Sequence, residues 1–493
     1  MKKVILLLVD SLLPGPLEKA MERGEVPNMS AIAETGTFIK RGVTLLPTMS
    51  CVVDSSIITG CYPDEHHVPG LMWYNPKENR IVDYGSSFGI TWRLGFKQVL
   101  QDVIHDLHSK HLSKKVTTIY EDLEKRGLTT GNINFGVYRG KSEHTMKMPF
   151  LLNLMTKFQL NNKKVKGPNI LTVGKLVKGE LNKPYDINAP SSVFKRYGLN
   201  DEYTIEVFQE IVRQKQLPDF TMMYFPDLDQ AVHKKGTKFA IDSIQKIDKK
   251  IGQLLDALGG PEKAMEETIW IILSDHGQTD VKEGIGQIPL PEILSDLTIH
   301  NLRKPIDSAT MDVVICNNER LTYLYFFRMK KDKIMEALLA DSRIDFVAHR
   351  NNQQITVEKR DHDSNKKKDL KLVYSETGDY TDPYNQTWNI SGDYQVLDLH
   401  VKDNRIDYDD YPDALKRLQA AFFGQRTQDV LVVTAKPGYE FQSQGSANHN
   451  GGGSHGSLHR QDSEIPIIIG GTDKKPKYPR IVDLKKFILD LIH

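Results

Sequence analysis

Several acidic, imidazole and hydroxyl side chains of this chain stand where an apolar run stops. In Thr268–Asp280, TIWIILSDHGQTD, a strand-like stretch ends in Ser274-Asp275-His276-Gly277. Asp10 follows the apolar run Lys3 to Val9. Asp229 and His233 follow DFTMMYF, in YFPDLDQAVHKKG, and their i, i+4 spacing puts both on one helical face. His455 precedes Gly456 in a Gly-rich stretch. Ser50 stands in LPTMSCVVDSSIITGCYP just before a predicted helix, where an anion would meet N-terminal amides. Carboxylates and imidazoles are ligands for borderline cations such as Zn²⁺, and three aspartates with three histidines suffice for two ions.

Taken singly, each residue has an ordinary structural explanation. Asp10 fits a helix cap or turn, Asp229 and His233 a solvated helix face, His276 a satisfied buried histidine, His455 a linker, Ser50 an N-cap. Their coincidence at the ends of several predicted core strands favours a shared site, because open α/β sheets form sites beyond the carboxyl ends of their strands.

The elements that must position them alternate. KVILLLV is a continuous apolar run of strand length, as expected for a sheet covered on both faces. NMSAIAETG and VVDSSIITG predict short helices stopped by Gly36 and Gly60. VTTIYEDLEKRG, DEYTIEVFQEIVRQKQ and AIDSIQKIDKKIGQLLDALGG predict amphipathic helices, with the strands TTGNINF, DFTMMYF and TIWIILS after them. This order predicts a doubly wound, mostly parallel α/β sheet with helices on both faces. Near residue 290 the pattern changes. DVVICNN, RLTYLYFF, IDFVAHR and QQITVEKR predict strands, KDKIMEALLAD a helix, and RDHDSNKKKDLK a charged hairpin tip. The expected organisation is a core of residues 1–290 and 426–493 with an inserted α+β cap at 291–425. The core is expected to resume at DVLVVTAKP, Asp429 to Pro437, and PGYEFQSQGSANHNGGGSHGSLHRQD is expected to be a mobile loop.

Composition bounds the partners. The 493 residues carry 65 Lys+Arg against 64 Asp+Glu, a formal net charge of +1. That balance gives no global field for a nucleic-acid polymer or an anionic membrane. Cys51, Cys61 and Cys316 make neither a disulfide framework nor zinc-finger spacing, which fits a reducing, cytoplasmic compartment. The N-terminal lysines and apolar run mimic a signal peptide, but Asp10 interrupts the run. No stretch approaches the roughly 20 apolar residues of a membrane span.

ILLLVDS, PTMS with ITGCYPDEHHVPG, PDLDQAVHKKG, LSDHGQTD and GGSHGSLH occur in this order. Together they resemble the alkaline phosphatase superfamily, and within it the type I phosphodiesterase / nucleotide pyrophosphatase family. The resemblance implies an alkaline phosphatase-like core and two divalent metal ions, zinc or alternatively manganese. It implies Asp10, Ser50, Asp275 and His276 as ligands of one ion, and Asp229, His233 and His455 as ligands of the other. Ser50 would be the nucleophile and form a phospho-serine that is then hydrolysed. The implied substrates are small phosphodiesters or nucleotide-type pyrophosphates. Phosphomonoesterase, phosphonate-ester hydrolase, phosphomutase and non-catalytic phospho-ligand binding are the alternatives.

The sequence departs from the family in two places. The family commonly has a threonine nucleophile; the matching position is Ser50, with Thr48 as runner-up. The family asparagine that donates to a phosphate oxygen falls on Leu71, and Asn75 stands four residues on. Asn75, or backbone amides near Cys51, would have to replace it. Trp73 and Tyr74 either stack on a leaving group or pack the core. HSKHLSKK and YRGKSEH, with Arg139, Lys141 and His144, either hold a distal charged part of the substrate or form a solvated surface.

Overall fold

The computed structural model describes residues 2–178, 193–362 and 369–492. Its first sheet has ten strands, ordered Thr37–Val43, Glu464–Gly470, Thr268–Leu273, Lys3–Val9, Phe220–Phe225, Thr130–Ile133, Ile170–Val173, Val177–Lys178, Ser142–Met146 and Lys164–Gly167. From Thr268–Leu273 through Ile170–Val173 neighbours run parallel. The strands added on either side run antiparallel, so the expected parallel character holds for the centre only.

Lys3–Val9 sits in the middle because both its faces are apolar. Val4, Leu6 and Leu8 pack with Val52, Val53 and Ile57 of helix Ser50–Thr59 and with Leu484 and Ile488 of helix Ile481–Leu491. Ile5, Leu7 and Val9 pack on the other face with Leu17, Met29, Phe208, Ile244 and Ile251. All six side chains are fully buried, each worth roughly 1.5–3 kcal/mol. Asn200 caps helix Asp201–Arg213 by accepting from the Tyr203 amide at 2.9 Å.

A second, mostly antiparallel sheet follows the order Val313–Asn318, Leu321–Phe326, Val430–Ala435, Ile344–Asn351, Gln354–Arg360, Asp369–Thr381, Arg405–Tyr408, Leu399–Lys402, with Thr387–Gly392 paired to Asp369–Thr381; Asp369–Thr381 and Arg405–Tyr408 run parallel. Val430–Ala435 was expected in the first sheet. It lies instead between Leu321–Phe326 and Ile344–Asn351, antiparallel to both. A short continuous apolar run signals a buried strand without saying which sheet buries it. Helix Lys331–Leu339 sets Ile334 and Leu338 against Val347 and Val433. The tip of RDHDSNKKKDLK lies outside the described residues; the strands flanking it pair antiparallel, Arg360 opposite Asp369.

The Gly-rich stretch expected to be mobile is packed. Glu440–Gln442 pairs with Gln287–Pro289, Gly453–Ser454 pairs with Thr279–Asp280, and Arg460–Ser463 is a short helix. Ser454, His455 and Ser457 are buried. No helix among the described residues is long and apolar enough to cross a membrane.

Candidate metal centre

The register of the central strands brings their ends level. Leu8 lies opposite Leu273 on one side, and Val9 opposite Phe225 on the other. The chain therefore releases Asp10, Ser274-Asp275-His276, and helix Asp227–Lys235 with Asp229 and His233, at one sheet edge. Gly277 makes the turn after His276 possible: its amide donates to the Asp462 carbonyl at 2.9 Å, and a Cβ there would lie 2.2 Å from the Gln461 carbonyl oxygen. Gly456 does the same for His455, with φ +119 and a would-be Cβ 2.2 Å from the Asn318 carbonyl oxygen.

Six of the expected ligands meet. Donor atoms of Asp10, Asp275 and His276 lie within 4.8 Å of one another, as do those of Asp229, His276 and His455. His276 Nε2 is 3.2 Å from Asp275 Oδ2 and 3.6 Å from Asp10 Oδ1, and His233 Nε2 is 3.1 Å from Asp229 Oδ1. The His276 and His455 rings stack with centroids 3.6 Å apart. His455 Nδ1 is 2.5 Å from the Thr48 carbonyl oxygen and His233 Nδ1 is 2.7 Å from that of Gly453. Each Nδ1 then donates, and each Nε2 keeps its lone pair for the cluster, the orientation a metal-binding imidazole needs.

The donor set fits a cation. Asp10 Oδ1, Asp275 Oδ2 and His276 Nε2 are buried without a hydrogen-bond partner. An unsatisfied buried polar atom costs roughly 1–3 kcal/mol, and three of them in one place call for a compensating charge. Burial, then the Asp275 and Asp229 carboxylates, raise Asp10 well above the usual carboxylate range. Burial opposes charge on Asp229 too, but His233, His455 and His276 outweigh it and hold Asp229 low. Burial pulls His233 down, and Asp229 with Glu319 more than reverses this, up to about 10. His455 is brought down to about 4, chiefly by burial.

Ser50 is the first residue of its helix and half-buried, and its amide and that of Cys51 have no intrahelical acceptor. Thr48 is fully buried, and its hydroxyl accepts from the Gly456 amide at 2.6 Å. Cys51 is a buried thiol that burial, with Asp54, raises well above its ordinary value.

The expected substrate contacts are all buried. Trp73 is buried, 5.6 Å from the His111 ring, with the Arg426 guanidinium 5.0 Å over it. Tyr74 packs on Tyr325 and Phe327 and donates to Asn79. Asn75 is fully buried and accepts from Arg426 at 3.2 Å. All residues of strand Met72–Asn75 are buried, and Trp73 Nε1 and Asn75 Nδ2 have no hydrogen-bond partner. Arg139 donates to the carbonyls of Leu112, Ser113 and Val116, and His108 and His111 are buried in a π-helical stretch, Asp102–His111. The histidines and Arg139 of these runs are thus part of the fold, whereas Lys110, Lys114, Lys115 and Lys141 are exposed.

The cleft at the site has a volume of about 590 Å³; Asp10, Tyr224, Asp229 and His233 line it, with Arg196 and Lys234 as cations. Four residues that sequence reasoning missed hold the ligands. Ser11, left-handed at φ 60, donates its hydroxyl to Asp229 at 2.8 Å and its amide to Asp275 at 3.2 Å. Gln278 donates to Asp229 at 2.7 Å. Tyr224 donates to Asp10. Glu319, from the turn between Val313–Asn318 and Leu321–Phe326, accepts from the His455 amide at 3.1 Å. Ser11 and Gln278 carried a signal in their adjacency to Asp10 and to SDHG; Tyr224 and Glu319 carried none.

A sheet that collects carboxylates and imidazoles at the ends of its parallel strands offers a site for cations. The chain belongs to the type I phosphodiesterase / nucleotide pyrophosphatase family, whose model matches residues 4–458. That family is metal-dependent and typically binds two divalent ions. No curated protein matches the chain. Among solved structures, murine ectonucleotide pyrophosphatase / phosphodiesterase 5 superposes with a TM-score of 0.58 at 13% identity, covering 100% of this chain and 95% of that one. An inactive variant of it in complex with AMP gives the same values. The human protein gives a TM-score of 0.57 at 15% identity, again over 100% and 95%. These likenesses concern the fold.

Proposed function

We propose that the chain hydrolyses small phosphodiesters or nucleotide-type pyrophosphates through a covalent phospho-Ser50. The observation that supports this best is the set of buried, unpartnered atoms of Asp10, Asp275 and His276, continuous with Asp229, His233 and His455. Asp10, Ser50, Asp275 and His276 would hold one divalent ion, and Asp229, His233 and His455 the other, with zinc the first expectation. Such ions supply positive charge that lowers the pKa of a hydroxyl and neutralises developing phosphoryl charge.

The protein's own groups do the rest. Ser50 Oγ forms the bond to phosphorus as the bond to the leaving oxygen breaks. Water then cleaves the phospho-serine and restores the hydroxyl. The amides of Ser50 and Cys51, at a helix start, are donors for phosphate oxygens in place of the family asparagine that Leu71 lacks. Arg196 and Lys234, lining the cleft, favour a leaving group that carries further negative charge, as a nucleotide does. The second sheet acts as a cap that reaches the site through Glu319, and Val430–Ala435 belongs to it.

A panel tests the reading: a thymidine monophosphate nitrophenyl ester, bis-p-nitrophenyl phosphate, p-nitrophenyl phosphate, a phosphonate ester and a sulfate ester, each with Zn²⁺ and Mn²⁺. The nucleotide ester or the diester should be turned over fastest, and a chelator should abolish the activity. Fastest turnover of the monoester or the phosphonate would replace the proposed substrate class. A metal-free, folded protein without turnover would leave phospho-ligand binding as the function.

A further inference from the structure

The short helix Phe150–Met155 is packed inside out. Its polar residue Asn153 is buried and donates to the Met148 carbonyl at 2.9 Å, and Thr156, which follows the helix, is fully buried and donates to the Leu152 carbonyl at 2.9 Å. Phe150, Leu151 and Leu154 are left outside, 76%, 48% and 57% exposed. Lys157 at φ 51 and Phe158 at φ 61 then take two successive left-handed positions, and the Phe158 amide donates to the Asn153 carbonyl at 2.7 Å. Bulky residues seldom adopt this conformation. It ends the helix with Lys157 exposed and Phe158 54% exposed. The inner side of the segment is complete: Met148, Leu152 and Leu160 pack with Tyr138, Met146 and Val165. The four outer side chains are surplus to that core. Monomeric soluble proteins rarely expose apolar side chains in one contiguous group without a partner for them.

Charge points to what covers them. From His144 to Lys178 the sequence carries seven lysines and no Asp or Glu. Lys147, Lys157, Lys164 and Lys166 are exposed. Glu143, just before the stretch, pairs with Lys164 at 3.2 Å. Lys164 and Lys166 also line a cleft of about 350 Å³ with Lys114 and Arg139, in which Glu121 is the one carboxylate among the described residues. The formal charge of +1 for the whole chain hides this local excess. The strands on either side of the helix, Ser142–Met146 and Lys164–Gly167, close one end of the ten-stranded sheet, away from the central strands that release Asp10 and Asp275.

A second copy of the chain docked here about a two-fold axis would set lysine against lysine. A hydrophilic polyanion would leave the phenylalanines and leucines in water. Apolar side chains flanked by lysines match the acyl boundary and the phosphates of an anionic lipid leaflet. We propose that Phe150, Leu151, Leu154 and Phe158, with Lys147 and Lys157 beside them, dock the protein peripherally on an anionic membrane surface. The apolar side chains enter the headgroup layer and the lysines meet lipid phosphates. Such docking needs no spanning segment and is reversible.

The test is co-sedimentation of the full-length protein with vesicles of phosphatidylcholine, alone or mixed with phosphatidylglycerol. The mixed vesicles should retain the protein, and high salt should weaken the retention by screening the lysines. Phe150→Ser combined with Phe158→Ser should weaken it about tenfold or more. Lys147→Glu combined with Lys157→Glu should weaken it on mixed vesicles too. Both pairs change exposed residues and should keep the wild-type melting temperature. Met329→Ser, at an exposed methionine on another element, should leave retention as it is. Protein that stays in solution with every vesicle, that is retained as well without phosphatidylglycerol, or that is retained equally by the paired variants would overturn the proposal. So would a dimer in sedimentation velocity that Phe150→Ser with Phe158→Ser abolishes and that binds no vesicle, since a second copy would then be the occupant.

Discussion

Ser50 and Thr48 stand two positions apart in opposite surroundings. Thr48 is committed: its carbonyl orients His455 and its hydroxyl receives the Gly456 amide. Ser50 opens the helix and is half-buried. Ser50→Ala should therefore lower kcat on the order of 10³-fold or more while two metal ions stay bound. Thr48→Val should cost about 1 kcal/mol of stability and leave kcat far less affected. Steady-state kinetics with elemental analysis check both, and unchanged turnover in Ser50→Ala would move the nucleophile to Thr48. His233 makes a pH prediction for the metal-free protein. Burial pulls its pKa down, Asp229 and Glu319 more than reverse this, and the value rises from 6.5 to about 10. The folded state then binds more protons than the unfolded chain across that window. Stability present below pH 6.5 should be lost as pH climbs towards 10, seen as a falling denaturant midpoint. The metal-loaded protein should lack this slope, because the ion takes the proton's place. At this scale the sequence was legible where polar residues end apolar runs, as at Asp10, Asp275 and His276. It was silent on Glu319, which arrives through a turn with no periodic pattern to announce it.

Arg320 ties the two sheets together at the level of elements. Its fully buried guanidinium donates to Asp462, to Thr279 at 2.7 Å, and to the Tyr439 and Ala435 carbonyls, while its amide donates to the His455 carbonyl at 2.8 Å. Arg320→Met leaves Asp462 buried and unpaired, and should cost about 3–5 kcal/mol in denaturant unfolding. The double change with Asp462→Leu should recover much of that loss; no recovery would mean that the backbone, rather than the charge pair, holds the loop. The strands of the first sheet could be read from continuous apolar runs because helices cover both faces. The same signal misplaced Val430–Ala435, since an apolar run does not name its neighbours. The Gly-rich stretch misled for a related reason. Its glycines serve close approach, as at Gly456, rather than freedom of movement.

Across the whole molecule, the site joins ligands from the beginning of the chain to near its end, and Glu319 adds a contact from the second sheet. High sequence separation of this kind is slow to assemble. His455 is made well after the other proposed ligands, so a growing chain holds an unclosed cage until then. Ion capture would wait on that segment, and a chain broken off before it would lack the imidazole that the Thr48 carbonyl orients.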